Sequence, residues 1–371
     1  MCGAATYRIR SYRDSDGRVM SDLQSLQERI RAAAAAMQPL LIRAGGTKDF
    51  YGGSPAGELL DLSALSGITH CEPTELVICA RAGTPLTLLE RELSAHDQML
   101  AFEPPRFDGR ATIGGTVASG LSGPRRAYCG AVRDFVLGVE LIDGRGRLLH
   151  FGGKVIKNVA GFDVSRLMTG SLGTLGLLTE ITLKTVPRPR AECSLRFELN
   201  QPQALESMVR WATRALPLSA TRWHDGVLSV RLSGAEAAVR VAREGLGGEI
   251  IEGAGEYWAS VRDQRLPFFA AADELWRVSL PAHSPELPVP GPVMLEWGGS
   301  LRWLPGPRDS GALRALAARF GGHAALYRAR AKPPEGMFQP LAPALLSVHK
   351  RLKAAFDPHG ILNRGRLYPD L

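Results

Sequence analysis

Three segments of this sequence have residue types and spacings suited to chemistry, and all three are rich in glycine. The first, RAGGTKDFYGG, spans residues 43–53 and follows the apolar run Pro39–Ile42. The second covers residues 109–130 and contains ATIGGTVASGLSGPRRAYCG; the third, GSLGTLG, spans 170–176. Glycine admits positive φ and lets the main chain approach a ligand closely. Successive amides turned to one side form a nest for an anion. Three such segments in one half of a chain suit a long anionic ligand held in an extended pose, as a dinucleotide diphosphate would be. None is a familiar phosphate loop. Residues 43–53 contain neither GxxxxGK[ST] nor GxGxxG, and GSLGTLG has its glycines at 170, 173 and 176, the wrong spacing, and precedes a strand.

Other reactive residues are scattered. The cysteines are Cys2, Cys71, Cys79, Cys129 and Cys193, an odd number without a CxxC pair. That pattern points to a reducing compartment and away from an iron–sulfur or zinc centre. The eight histidines form no HxxH or HExxH pair, so no metal site is expected. His349 and His359 flank the end of the last predicted helix, and Arg302 and Arg328 are cations able to hold a carboxylate. For these four, the expectation is a solvated surface position. No side chain is assigned a catalytic role.

The elements that must position the glycine segments follow from periodicity. The chain has 371 residues, enough for about two domains, with 45% apolar and 22% charged residues. Its formal net charge of +8 rests on 45 Lys and Arg against 37 Asp and Glu. The basic residues form no stripe with interleaved aromatics, which argues against a nucleic-acid partner. No run of eighteen apolar residues occurs, so no membrane span is expected. Residues 21–37 read as a helix opened by a Ser21/Gln24 capping box. Translation starting at Met20 is expected, with residues 1–19 a disordered or mis-assigned extension.

Strands are expected at 40–44, 58–62, 75–82 and 99–105. A helix from Thr84 (N-cap) and Pro85 (first turn) should run to about His96. Residues 135–153 read as a hairpin around Asp143-Gly144, and 157–186 as a short helix, a glycine turn and a strand. PRPR (187–190) marks a boundary. Beyond it, strand 192–199, helix 202–215, a strand pair within 219–232, helix 234–245 and strand 249–252 follow a βαββαβ order, a ferredoxin-like unit. Strand-like runs at 274–280, 292–304 and 323–329, with helix 309–320, extend the same sheet. A helix at 341–356 leads into the tail AFDPHGILNRGRLYPDL.

The segments RAGGTKDFYG, ATIGGTVASGLSGPRRAYCGAVRDFVLGVELIDGRG, KNVAGFDVSRLMTGSLGTLGLLTEITL and FDPHGILNRGRL occur in this order. Together they resemble the FAD-binding family typified by vanillyl-alcohol oxidase and p-cresol methylhydroxylase. Within it, SGPRR…GAVRDFVLGVELIDGRG and the short second half are most similar to the FAD-binding E subunits of bacterial glycolate oxidases. The likeness covers nearly all of residues 38–371. It implies an α+β fold: a two-part FAD-binding domain (20–188), a smaller ferredoxin-like cap domain (189–335), and a C-terminal helix and tail (336–371) returning to the flavin.

The resemblance also implies site residues. Arg43, Ala44, Gly45, Gly46, Thr47 and Lys48 would form one wall of an FAD diphosphate site, and Pro104, Thr112, Gly114, Gly115 and Ser119 the other. Gly120, Gly123, Tyr128 and Gly130 would border the flavin. Gly176 and Leu178 would face the nucleotide, and Asn363 would lie near the isoalloxazine. Many relatives place a flavin-linked His where this chain has Thr47, so the FAD should be non-covalent. Cys129 lies near where some relatives attach a second bond and is expected to be packing. The tail has Arg364 where Pro is usual.

The implied role is the FAD-binding subunit of a glycolate oxidase complex, not autonomous. Its partners would be a catalytic FAD subunit and an iron–sulfur subunit, in the cytoplasm or at the inner face of the cell membrane through the complex. Two alternatives remain at this point: a self-sufficient FAD-dependent 2-hydroxy-acid dehydrogenase, and a flavin-free assembly scaffold.

Overall fold

The computed structural model describes residues 18–153 and 163–371. Helix α1 (Arg18–Ala35) turns Leu23, Leu26, Ile30 and Ala33 inward. They pack on a two-stranded parallel sheet of β1 (Leu40–Arg43) and β2 (Glu58–Asp61). Arg18 and Val19 belong to α1; the expectation for residues 1–17 and the opening of the 157–186 segment lie outside the described residues.

A five-stranded antiparallel sheet follows, built from β3 (Ile68–Glu72), β4 (Val77–Arg81), β6 (Val136–Ile142), β7 (Leu148–Gly152) and β8 (Leu177–Lys184) in the order β3-β4-β8-β6-β7. Helix α2 (Leu86–Ala95) buries Leu86, Leu89 and Leu93 in its core. Two short strands, β5 (Gln98–Met99) and β9 (Val186–Pro187), pair at its margin. Helices α3 (Ile113–Ser119), α4 (Arg126–Cys129) and α5 (Val164–Leu167) fill the connections.

One local reading is corrected. Thr84 is not the cap of α2: Pro85 holds that position, and the Thr84 hydroxyl instead donates to Arg81 O at 2.6 Å and accepts from the Gly67 amide at 2.9 Å. The tertiary partner outcompetes the local one. The hairpin expected at 135–153 forms as β6–β7, with Asp143 and Gly144 in the loop between Ile142 and Leu148. Fully buried Asp143 accepts from the amides of Arg145 and Arg147, both at 2.9 Å, and this side-chain hub supports the loop, whose positive φ is at Gly146.

The second half forms one eight-stranded antiparallel sheet. It contains β10 (Ala191–Glu198), α6 (Gln201–Ala212), β11 (Leu218–His224), β12 (Val227–Gly234), α7 (Glu236–Leu246) and β13 (Glu249–Ile250). After α8 (Ala254–Arg262) and α9 (Pro267–Ala270) come β14 (Leu275–Ser279), β15 (Met294–Glu296), β16 (Leu301–Pro305), α10 (Ser310–Arg319) and β17 (His323–Arg328). The sheet order is β13-β10-β12-β11-β15-β16-β14-β17. Numbered by chain order, each set of four strands reads 4-1-3-2 inward from its own edge, and the halves meet where β11 pairs with β15. The expected continuation of the sheet through residues 274–329 is thus a near-mirror of its first half. Helices α8 and α9 lie in a stretch that the sequence reading left unassigned.

Strand alternation divides the burial. Trp276, Val278, Leu304, Ala324 and Leu326 face α6, α7 and α10. Leu275, Leu301, Trp303 and Tyr327 face the first half, where they meet Tyr51, Leu121 and Leu172. Helix α11 (Pro343–Phe356) and the tail then return: Leu362 bridges to Leu40 of β1, and buried Lys353 donates to Thr174 O, Leu362 O and Asp357 at 2.7–2.8 Å.

Candidate functional site

A cleft opens where β1, the start of α3, the turn before β8 and the tail converge. Its first wall is the loop after β1. A Cβ on Gly45 would stand 1.8 Å from the Arg110 carbonyl oxygen, so only glycine allows these two backbones to meet. Gly46 has φ +69 and lies on the Arg43 guanidinium, which is paired with Asp49 at 2.6 Å. Arg366 donates to the Lys48 carbonyl at 2.9 Å and Lys332 to the Asp49 carbonyl at 2.9 Å, pinning the loop from the far end of the chain. Among the described residues, the amides of Gly45, Gly46, Thr47 and Lys48 meet no acceptor. Four successive unsatisfied donors lining a cleft have the pattern of an anion nest.

The second wall starts at α3. The Thr112 hydroxyl caps it by accepting from the Gly115 amide at 3.2 Å. Gly114 lies against β4, where a Cβ would be 2.7 Å from Ala82. The floor is the turn before β8. Gly173 has φ +73 and a Cβ there would meet Asn363 Nδ2 at 2.7 Å; one on Gly176 would meet Leu141 at 2.9 Å. Asn363 closes the end. Its Oδ1 accepts from the Ile42 amide at 2.8 Å and its Nδ2 donates to the Leu172 carbonyl at 2.7 Å.

The cleft is cationic. Arg43, Lys48 and Arg366 line it, with Asp49 as the one acidic lining residue. Lys48 is buried, with Nζ 5.3 Å from the Phe107 ring centroid and 3.3 Å from Thr47 Oγ1. Burial pulls its ammonium down to about 8, against the opposing pull of Asp108 and Asp263. A polyanion placed on the nest would supply the missing counter-charge.

Of the residues singled out in the sequence, Arg43 through Lys48, Thr112, Gly114, Gly115, Ser119, Gly176, Leu178 and Asn363 line this cleft. Pro104, Gly120, Gly123, Tyr128 and Gly130 stand elsewhere. Pro104 is buried in its Pro-Pro turn. Gly120 ends α3 at φ +67. Gly123 packs on the Glu103 carbonyl and accepts the Trp297 indole N–H at 3.0 Å. Tyr128 donates to Thr221 at 3.3 Å, and Gly130 lies beside Asp134. Ile42, Asp49, Leu62, Ala82, Ala118, Leu172, Gly173 and Arg366 also line the cleft without having been singled out. Gly173, central in GSLGTLG, carried a signal in its spacing; Arg366 carried one by its place three residues after Asn363.

The candidate cations and bases resolve differently from expectation. Arg302 is not solvated: it is fully buried, its guanidinium donating to the carbonyls of Ser284, Pro285 and Gly299. Arg328 donates to the carbonyls of Phe269 and Ala272. Both are spent on backbone. His359 is exposed and His349 stacks edge-on to Tyr368 at 5.8 Å; no histidine lines the cleft. The Cys129 thiol donates to Ala101 O at 3.1 Å, and burial pushes it up to about 12, leaving it protonated.

Comparison with known proteins adds to this geometry. The family model for the FAD binding domain matches residues 19–152. The chain is 46% identical over 348 residues to glycolate oxidase subunit GlcE of Escherichia coli (strain K12), covering 94% of this chain and 98% of that one. A D-lactate dehydrogenase of Archaeoglobus fulgidus is 31% identical over 182 residues, 49% of this chain and 41% of that one. Among solved structures, 4-ethylphenol oxidase from Gulosibacter chungangensis superposes with TM-score 0.69 at 16% identity, and p-cresol methylhydroxylase with 0.68 at 14%. Each match covers 93% of this chain and 87% of the other. At such identities the structural likeness speaks for the fold alone.

Proposed function

This chain belongs to the FAD-binding family that includes glycolate oxidase subunit GlcE, and on that premise we propose that it is the non-catalytic FAD-binding subunit of a glycolate-oxidase complex. The observation that carries the reading is the row of unpartnered amides from Gly45 to Lys48, set among Arg43, Lys48 and Arg366. It fits a dinucleotide diphosphate bound without a covalent link, Thr47 standing where a histidine would form one. FAD bound there supplies two-electron redox chemistry. The chain's own residues hold the diphosphate, tie the cleft shut through Asn363, and exclude water beyond Leu172.

The same geometry supports the absence of autonomous turnover. Past Leu172 the space between the two halves is packed by Tyr51, Tyr327, Trp303 and Phe269, with ring centroids 4.8–5.6 Å apart along the row. The cavity left between residues 121–124 and the large sheet has a volume of about 20 Å³. The cleft proposed for FAD measures about 100 Å³, so this seam is the tighter of the two. Glycolate oxidation would therefore take place in a sister subunit, with electrons leaving through an iron–sulfur subunit. The two 4-1-3-2 strand sets support reading residues 189–335 as a cap of ferredoxin-like units, and the path of the tail supports its return to the flavin. Among the described residues no helix is long and apolar enough to cross a membrane; attachment to the membrane face would come through the complex.

Purified chain should show a flavin spectrum that anaerobic glycolate fails to bleach. Bleaching would transfer the reading to the dehydrogenase; a folded chain that takes up no FAD would leave the scaffold.

A further inference from the structure

We propose that Cys71, Glu92 and His96 form a binding site for a zinc-type divalent ion, on the flank of the five-stranded sheet and outside the FAD cleft. The donors come from two elements. Cys71 lies on β3, the edge strand of that sheet; Glu92 lies on α2, and His96, four residues on, caps the C-terminus of that helix. The sulfur, a carboxylate oxygen and a ring nitrogen all lie within 4.8 Å of one another, with His96 Nε2 3.5 Å from Glu92 Oε1.

Tetrahedral zinc with bonds of about 2.0–2.3 Å sets neighbouring donors roughly 3.3–3.8 Å apart. Closing the site therefore takes about 1 Å of side-chain movement, within reach of rotations about the Glu92 and His96 side-chain bonds. The backbones are already fixed. Cys71 pairs with Ile78 in the sheet, and α2 is seated by Leu86, Leu89 and Leu93.

The donor chemistry selects the metal. One sulfur, one nitrogen and one oxygen suit a borderline-soft ion, whereas calcium and magnesium require oxygen donors. A thiolate and a carboxylate balance the +2 charge. Without an ion, the Cys71 thiol is held up to about 11 by burial and by the carboxylates of Glu92 and Glu72. A cation among these groups would reverse that field and displace the thiol proton. His96 is exposed, so the fourth position faces solvent and takes a water. The ion would staple an edge strand, paired among the described residues with β4 alone, onto the neighbouring helix. The spacings of 21 and 4 residues match no metal motif, so pattern scanning passes over the trio.

The test uses the FAD-loaded chain, freed of adventitious metal and titrated with Co²⁺. We expect one equivalent to bind, with the ligand-field bands of a four-coordinate ion to the red of the flavin. Zn²⁺ should displace it, raise Tm, and protect Cys71 from alkylation in peptide mass mapping. His96→Ala, at an exposed position, should weaken binding at least about tenfold, and Cys71→Ser should abolish the thiolate contribution. Absence of saturable one-equivalent binding overturns the proposal. So does binding that survives both replacements, which would place the ion on other groups. No readout depends on turnover, so the result is independent of the complex the chain serves.

Discussion

The Ile42 amide donates to the Asn363 side-chain oxygen at 2.8 Å, joining the first strand to the tail across 321 residues. The other end of the same side chain donates to Leu172, so one residue fastens three walls of the cleft. Asn363 also adopts φ +42, a conformation asparagine tolerates better than most residues. Asn363→Ala leaves a buried donor and a buried acceptor without partners, at about 1–3 kcal/mol each. We expect a loss of about 2–6 kcal/mol in urea unfolding and weaker FAD binding by fluorescence titration. Unchanged stability would mean that water replaces both bonds.

Gly45→Ala tests the cradle itself. Its methyl carbon would overlap the Arg110 carbonyl, so the loop must move and the nest must open. The protein should retain its circular dichroism but bind FAD at least about tenfold more weakly, a loss of about 1.4 kcal/mol or more. Gly67→Ala, at a glycine whose Cβ meets nothing within 4 Å but whose φ is +128, is the control for backbone strain without a steric clash.

Lys48 makes the cleft pH-sensitive. Its ammonium titrates near 8 in the fold, against 10.5 for the reference lysine. Between these values the unfolded chain holds the extra proton, so ligand-free stability rises with pH from about 8 to about 10.5. Below about 8 both states are charged and the burial cost is undiminished. An FAD diphosphate favours the ammonium, so FAD affinity should fall above about pH 8, by up to about tenfold per pH unit. Dissociation constants measured across this range should show the fall, and Lys48→Met should flatten it.

Glu103 joins the two halves. Its carboxylate accepts from Arg231 on β12 at 2.9 Å and from the Arg125 amide at 3.0 Å, while Arg125 also pairs with Glu192 on β10. Arg125 and Arg231 are both buried. Removing Glu103 leaves buried Arg231 without a carboxylate and Arg125 with Glu192 alone, so Glu103→Ala should cost about 3–5 kcal/mol, read as a lowered Tm. Adding Arg231→Leu should recover part of that loss; strict additivity of the two changes would refute the coupling.

The sequence by itself determined whatever is local. Glycine spacing marked the loop at 43–53 and the segment at 109–130, because backbone permissiveness is a property of each residue. Alternation located β10 through β12. Asn363 was implied only by the resemblance of the tail to a known family. Tertiary structure alone decided which partners these groups took. Thr84 left its helix for Gly67, Arg302 exchanged water for three carbonyls, and Gly123 and Tyr128 turned from the cleft to Trp297 and Thr221 of the second half. The doubling of the 4-1-3-2 order was likewise invisible, since sheet order rests on pairings between distant strands. So was the trio of Cys71, Glu92 and His96. Hydrogen bonds and ion contacts depend on distances through space, and packing sets those distances only once the chain has closed on itself.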